Sequence, residues 1–457
     1  MYAAEKSKMD TTATSSDGEA DPGMGWNLKD KSTLKNIISD SVQMSQKSTI
    51  GKFYDSRTST SPYRNKMEAQ IRLHARSQLL RHEEQKVPST EDIECLESIL
   101  YENADPASLD NVRYIGYRAF KRVVASAPER VSQYLSARVF AALLSKCADS
   151  YGHIPIDYIL EYVKLKREKT LQCIRLCTYD SVGNGYLTAD ELRDYIHTEF
   201  VSTIPSLCRL QEDGDTTNLE YYLDMATAKF FFMLDPKRLS KIRIMDILAS
   251  RLLNELDDVA LISDGSFRSD GDLNWFSAEN FQRLRRTMSS LNNDDKNFLS
   301  LDEISNFRAL TNVFIRRVFQ VRNLNEQNGL DWNGFCELIL AIENRSDPSS
   351  IKYHFRILDV DSDGFIDSSD LLYFYKGIEE MSKEITSYDL RDIIPIFEDI
   401  RDEIFDLCRP KSEQRISMNE LLSSGKGDTI VGILTDIDCL SQYENRENNL
   451  VSGEECP

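Results

Sequence analysis

Asp359-Val360-Asp361-Ser362-Asp363-Gly364-Phe365-Ile366-Asp367-Ser368-Ser369-Asp370 is the stretch that decides the fold. Its acidic side chains stand at positions 1, 3, 5, 9 and 12 of a twelve-residue loop, with Gly364 at position 6 and Ile366 at position 8. That is the arrangement of an EF-hand loop, in which a hard divalent cation takes six to eight oxygen ligands. Asp359, Asp361 and Asp363 would supply carboxylates, Phe365 its main-chain carbonyl, Asp367 a contact through water, and Asp370 the closing carboxylate. Gly364 permits the sharp turn, and Ile366 marks where two loops of a pair share a short β-bridge. A merely solvated acidic loop needs neither. Asp370 replaces the usual Glu and is one methylene shorter, which lowers affinity for Ca²⁺ and lets Mg²⁺ compete.

Working outward, an aliphatic residue at position 8, then a polar residue and a helix, recurs in seven windows. The anchors are Ile154, Leu187, Ile242, Leu299, Leu330, Ile366 and Ile416. Such a series predicts tandem helix–loop–helix modules of thirty-odd residues with insertions, an all-α fold with short β-bridges between paired loops. The polar residue at position 9 (Thr188, Ser300, Asp367, Ser417) is placed to cap the exit helix. Most loops have lost ligands. The 180–191 window keeps Asp180, Asn184 and Glu191 but has Val182 at position 3. The 292–303 window keeps Asn292, Asp294 and Glu303 but has Lys296 at a ligand position and Asn297 for glycine. Both are secondary metal candidates. The 147–158, 235–246 and 409–420 windows read as scaffold only.

The division expected along the chain is a disordered tail (1–48), an N-terminal helical region (49–130), a degenerate hand-like domain (131–260), a C-terminal hand domain (261–448) and a short tail (449–457). Within the second segment, 65–86 reads as a basic amphipathic helix with Met67, Ile71, Leu79 and Leu80 as its apolar members. Phe230-Phe231-Phe232 reads as core, with a partner-facing patch as the alternative.

Composition narrows the function. The net charge is −20, which argues against generic nucleic-acid binding, although 29–86 is locally basic with 12 Lys/Arg against 6 Asp/Glu. Nine dispersed cysteines without a Cys-x-x-Cys pair and five scattered histidines give no zinc spacing and fit a reducing compartment. No apolar run approaches the roughly 20 residues that span a bilayer. No phosphate-cradling loop or spaced catalytic set is legible, so the chain reads as non-enzymatic.

Several strings resemble the B-double-prime regulatory subunits of protein phosphatase 2A. They include Ser136–Leu144, Asp149–Ile154, Tyr179–Leu187, Lys229–Asp235, Asn274–Ala278, Thr311–Phe314 and Ala341–Arg345. The later series Asp402–Asp406, Arg409-Pro410-Lys411, Ile416-Ser417, Gly427–Thr429 and Tyr443–Glu447 is similar to the gamma-like branch. The resemblance runs from about residue 50 to 448. It departs at Gly51, where the family tends to have proline, and in loop quality, since 359–370 is here better formed than 292–303. The resemblance implies a non-catalytic subunit that joins a scaffold subunit and a Ser/Thr phosphatase catalytic subunit and selects phosphoprotein substrates. It also implies a cytoplasmic and nuclear location, centrosome included. The competing readings are a stand-alone calcium sensor and a centrosomal or cytoskeletal adaptor.

Overall fold

Eight short strands in the described residues pair two by two, and each pair is centred on two buried aliphatic side chains. In the computed structural model, which describes residues 62–446 apart from 106–111, 148–151, 213–215, 264–273, 293–295, 306, 308, 326–327, 385–393 and 413, β1 (Tyr114–Gly116) pairs with β2 (His153–Pro155) and β3 (Tyr186–Leu187) with β4 (Ile242–Arg243). In the same way β5 (Phe298–Leu299) pairs with β6 (Leu330–Asp331), and β7 (Phe365–Asp367) with β8 (Arg415–Ser417). All four ladders are antiparallel. Their registers set Ile115 against Ile154, Leu187 against Ile242, Leu299 against Leu330 and Ile366 against Ile416. None of these eight side chains is more than 2% exposed. Each is therefore a full burial, and truncation to Ala would cost about 2–5 kcal/mol. The seven predicted anchors all sit in these bridges. The eighth, Ile115, completes the pair that Ile154 requires.

Helices fill the rest, and their starts follow from local chemistry. Thr188, Ser300 and Ser417 each accept a backbone N–H three residues on, while Glu191, Glu303 and Glu420 reach back to the cap residue's own N–H. These are reciprocal capping boxes. Asp331 caps the helix Trp332–Glu343, and Asp347 followed by Pro348 starts the helix Pro348–Leu358.

Among the described residues the chain forms two compact units, one of residues 88–167, the other of residues 62–87 together with 168–446. The first encloses the β1–β2 pair in a core that includes Leu96, Leu100, Phe120, Phe140, Ile159 and Val163. The second holds the other three pairs. There the helix Thr216–Leu234 packs on Trp332–Glu343, and aromatic side chains place their polar ends on backbone carbonyls. Trp275 Nε1 donates to Met225 O at 3.1 Å, Trp332 Nε1 to Tyr221 O at 2.8 Å and the Tyr222 hydroxyl to Phe276 O at 2.8 Å. Those bonds let large rings be buried without orphaned donors. Phe230 is fully buried against Phe276, as the core reading expects, whereas Phe231 and Phe232 line a cleft of about 380 Å³ with Arg193, Glu337, Tyr353 and Arg356.

The basic helix is present at Pro62–Gln85 but is not amphipathic in the expected sense. Met67, Ile71, Leu73 and Leu79 are about half exposed. Of the described side chains from 67 to 86, Glu68, Arg76 and Leu80 are half-buried and the others exposed. The helix is held through few positions, and its apolar residues do not form a buried stripe. The tails, Gly51 and Asp294 lie outside the described residues.

Candidate metal centre

Among the described residues, one carboxylate cluster has metal-site dimensions. Asp359, Asp361 and Asp363 place a ligand oxygen each within 4.8 Å of one another. The backbone of the loop builds that cluster. Gly364 sits at φ 88° and Ser362 at φ 62°, and this left-handed turn points successive N–H groups inward. Asp359 Oδ1 accepts the Asp363 N–H at 3.1 Å and Oδ2 the Gly364 N–H at 2.9 Å. Asp361 Oδ1 accepts the Asp363 N–H at 3.2 Å, and Asp363 Oδ1 accepts the Phe365 N–H at 2.8 Å. Phe365 lies in β7, so its main chain is fixed by the pairing with β8. Asp367 accepts the N–H groups of Ser369 and Asp370 and thus caps the exit helix Ser368–Glu384.

Asp370 is buried and accepts the Val360 and Asp367 N–H groups, at 3.0 Å each. The short side chain therefore ties the start of the loop to the exit helix. Burial raises the carboxyl pKa of both Asp359 and Asp370 above the ordinary value, against the lowering effect of their backbone hydrogen bonds. The nearest fixed cations leave the cluster's carboxylates largely free. Arg317 spends its guanidinium on the carbonyls of Ile357, Asp359 and Val360, and Arg415 stands 3.5 Å from Asp363 in an exposed pair. Three convergent carboxylates with no strong internal counter-charge are a donor set that fits a hard divalent cation.

The secondary candidates are built differently. Asp180 has a side chain that is 0% exposed and meets Arg76 at 3.0 Å. Asn184 accepts the Tyr186 N–H, and Glu191 accepts from Ser181 and Thr188. Val182 points to solvent, 76% exposed. Asp180, Asn184 and Glu191 are thus committed to protein donors. In the 292–303 window Asn292 bonds the Lys296 backbone, Glu303 caps through Ser300, and the Lys296 ammonium lies 6.0 Å from the centre of the Phe298 ring. The Lys296 charge thus swings toward the ring. In the scaffold loops the same economy recurs. Asp235 accepts the Leu239 and Ser240 N–H groups, and Glu420 accepts those of Lys411 and Ser417. The Lys411 and Ser417 hydrogen bonds hold the Glu420 carboxyl at about 2.

Four pairs of hands among the described residues, one loop of them with convergent carboxylates, define a tandem EF-hand-type protein. Comparison with known proteins gives the family. Residues 184–277 match the RSA-1 middle domain. The gamma subunit of the B'' regulatory subunits of protein phosphatase 2A from Homo sapiens is 34% identical over 82% of this chain and 80% of its own length. The probable B'' subunit TON2 from Arabidopsis thaliana is 27% identical over 93% of this chain and 88% of its own. Among solved structures, a chain of a protein phosphatase 2A PR70 holoenzyme is similar with a TM-score of 0.49 and 20% identity, covering 57% of this chain and 95% of that one. The chain belongs to the B'' family of protein phosphatase 2A regulatory subunits, as the sequence resemblance implied, and is a regulatory rather than a catalytic protein.

Proposed function

We propose that this chain assembles with the scaffold and catalytic subunits of protein phosphatase 2A, directs the enzyme to phosphoprotein substrates, and is tuned by Ca²⁺ at the 359–370 loop. The observation that carries the assembly is the kinship with B'' gamma subunits over 82% of the chain. The tuning rests on the convergence of Asp359, Asp361 and Asp363 beside a β-bridge that joins two hands. Asp359, Asp361 and Asp363 would hold the ion by carboxylates, Phe365 by its carbonyl, Asp367 through water, and Asp370 by closing from the exit helix. A bound ion would neutralise the mutual repulsion of these groups. Mg²⁺ competes, because the Asp370 side chain is short and bonded to two amides.

Calcium strengthens assembly only if the loop binds it more tightly in the complex than in the free chain. Affinity capture of the tagged full-length protein from cell extract, with and without a calcium chelator, tests both parts. Scaffold and catalytic subunits are expected in the eluate, with less of both after chelation and in an Asp361→Asn/Asp363→Asn variant. Their absence would sink the assembly reading. Recovery indifferent to chelator and to the variant would leave the loop a structural element only.

A further inference from the structure

The 180–191 loop has the outline of a metal loop but carries its cation from within the chain. Asp180, at position 1, accepts the backbone N–H groups of Gly183 at 2.6 Å and Asn184 at 3.3 Å on one oxygen and of Gly185 at 2.7 Å on the other. Gly183 and Gly185 both sit at φ 79°. Asp359, at position 1 of the 359–370 loop, accepts from positions 5 and 6 in the same manner. The difference is Arg76. Its Nη2 donates to Asp180 Oδ2 at 3.0 Å and to the Cys177 carbonyl at 3.0 Å, just before the loop. The other terminal nitrogen lies so close to Gly183 that a Cβ there would stand 2.6 Å from it. Every oxygen of Asp180 is thereby engaged. Burial raises the Asp180 pKa, but the hydrogen bonds from Arg76, Gly185 and Gly183 outweigh it and hold the group below the ordinary aspartate value.

We infer that Arg76 is the built-in counter-cation of the 180–191 hand: its guanidinium takes the charge-neutralising role of a metal on Asp180 and fastens the helix Pro62–Gln85 to this hand. The planar fork suits this task, since one guanidinium serves a carboxylate and a carbonyl at once. The sparse burial of the helix supports the second half, because Arg76 and Leu80, one turn apart, are the half-buried positions of its middle and C-terminal part. The hand therefore keeps its shape without calcium and does not respond to it, whereas Asp359, at position 1 of 359–370, has no ion pair among the described residues.

Hydrogen exchange and calcium calorimetry on the full-length chain test this. Arg76→Gln and Asp180→Asn each should raise amide exchange across 67–80 about tenfold, and the double variant no further, because both break one contact. For the metal half, the 359–370 loop is silenced by Asp361→Asn/Asp363→Asn and position 3 is restored by Val182→Asp. Ca²⁺ should then bind at least tenfold more tightly with Arg76→Gln than with Arg76 in place. Exchange unchanged in either single variant, or equal calcium affinity with and without Arg76, overturns the inference.

Discussion

Replacing Asp361 by Asn should have effects of opposite sign with and without calcium. The oxygens of Asp359, Asp361 and Asp363 lie within 4.8 Å of one another, so three like charges are held together. Asp361 is exposed and Asp363 about one-third exposed, so a water-like dielectric governs. At that spacing each pair then repels by about 0.9 kcal/mol, whereas an effective dielectric of ~20, the usual value near a protein surface, would give about 3.5 kcal/mol and sets the upper limit. Physiological salt, with a Debye length near 8 Å, roughly halves each term. Asp361→Asn removes two of the three pairs and keeps a side-chain oxygen for the Asp363 N–H. The calcium-free protein should gain about 1 kcal/mol, or a melting rise of about 2 °C for a unit of this size. Wild-type protein with free Ca²⁺ at a hundred times its dissociation constant should gain about 2.7 kcal/mol. The variant should gain almost nothing from calcium. Differential scanning calorimetry in chelator and in calcium reads both effects. A variant destabilised in chelator, or one that calcium stabilises as much as wild type, would refute the carboxylate cluster as the metal centre.

Three further outcomes follow from other parts of the structure. Burial pushes His354, 1% exposed and stacked on Phe314, down to about 4, against the raising effect of its hydrogen bond to Ser350. The unfolded chain, with its ordinary value near 6.5, takes up this proton first, so stability should fall as pH drops from about 6.5 to 4, by about 2 kcal/mol at pH 5. His354→Phe should flatten that limb of a urea-denaturation pH series. Arg345 donates to Asp436 at 2.6 Å and to Cys439 Sγ at 2.6 Å, with Arg345 and Asp436 side chains only 16% and 11% exposed. Arg345→Ala should cost about 3 kcal/mol, the lower end for a broken buried pair, because Asp436 keeps the Asp438 and Cys439 N–H groups; a loss under about 1 kcal/mol in equilibrium unfolding would show the pair to be solvated. Cys177 is held at about 7 by a hydrogen bond with Cys173 and by the charge of Arg76, against burial and Asp180. Its alkylation rate should therefore have a midpoint near pH 7, and Arg76→Gln should move that midpoint upward.

The legible part of this fold was what repeats at short range. An aliphatic anchor just ahead of a helix start is a local signal, strengthened at five of the seven anchors by a capping residue next in line, and all seven lie in the four ladders. Ile115 escaped because its helix starts after Gly116 with no side-chain cap, and the residues before it carry no run of ligands. Lys296 was legible as an obstacle, but its turn toward the Phe298 ring was not. The basic helix was legible as a helix and misread as amphipathic. What holds it is a contact between residues 104 positions apart, which no periodicity within the helix encodes. For Asp370 the sequence showed a short ligand. Only the structure shows that both of its oxygens already serve amides.

Why hands without metal ligands persist has a physical answer in position 12. In the 180–191 and 409–420 loops that residue is Glu, and it bonds the first turn of the loop and the N-cap of the exit helix together. Glu191 takes the Ser181 and Thr188 N–H groups, and Glu420 those of Lys411 and Ser417. A bound ion would make the same link between loop start and exit helix through its coordination shell. Once hydrogen bonds make that link, and a buried aliphatic pair holds each loop to its partner, the ligands at positions 1, 3 and 5 are no longer needed for the shape. The 359–370 loop uses the same link through Asp370, at Val360 and Asp367, yet retains three carboxylates whose repulsion costs stability in the absence of an ion. Shape alone does not account for that cost. The divalent-cation response proposed above would account for it, and it would act at the β7–β8 pair.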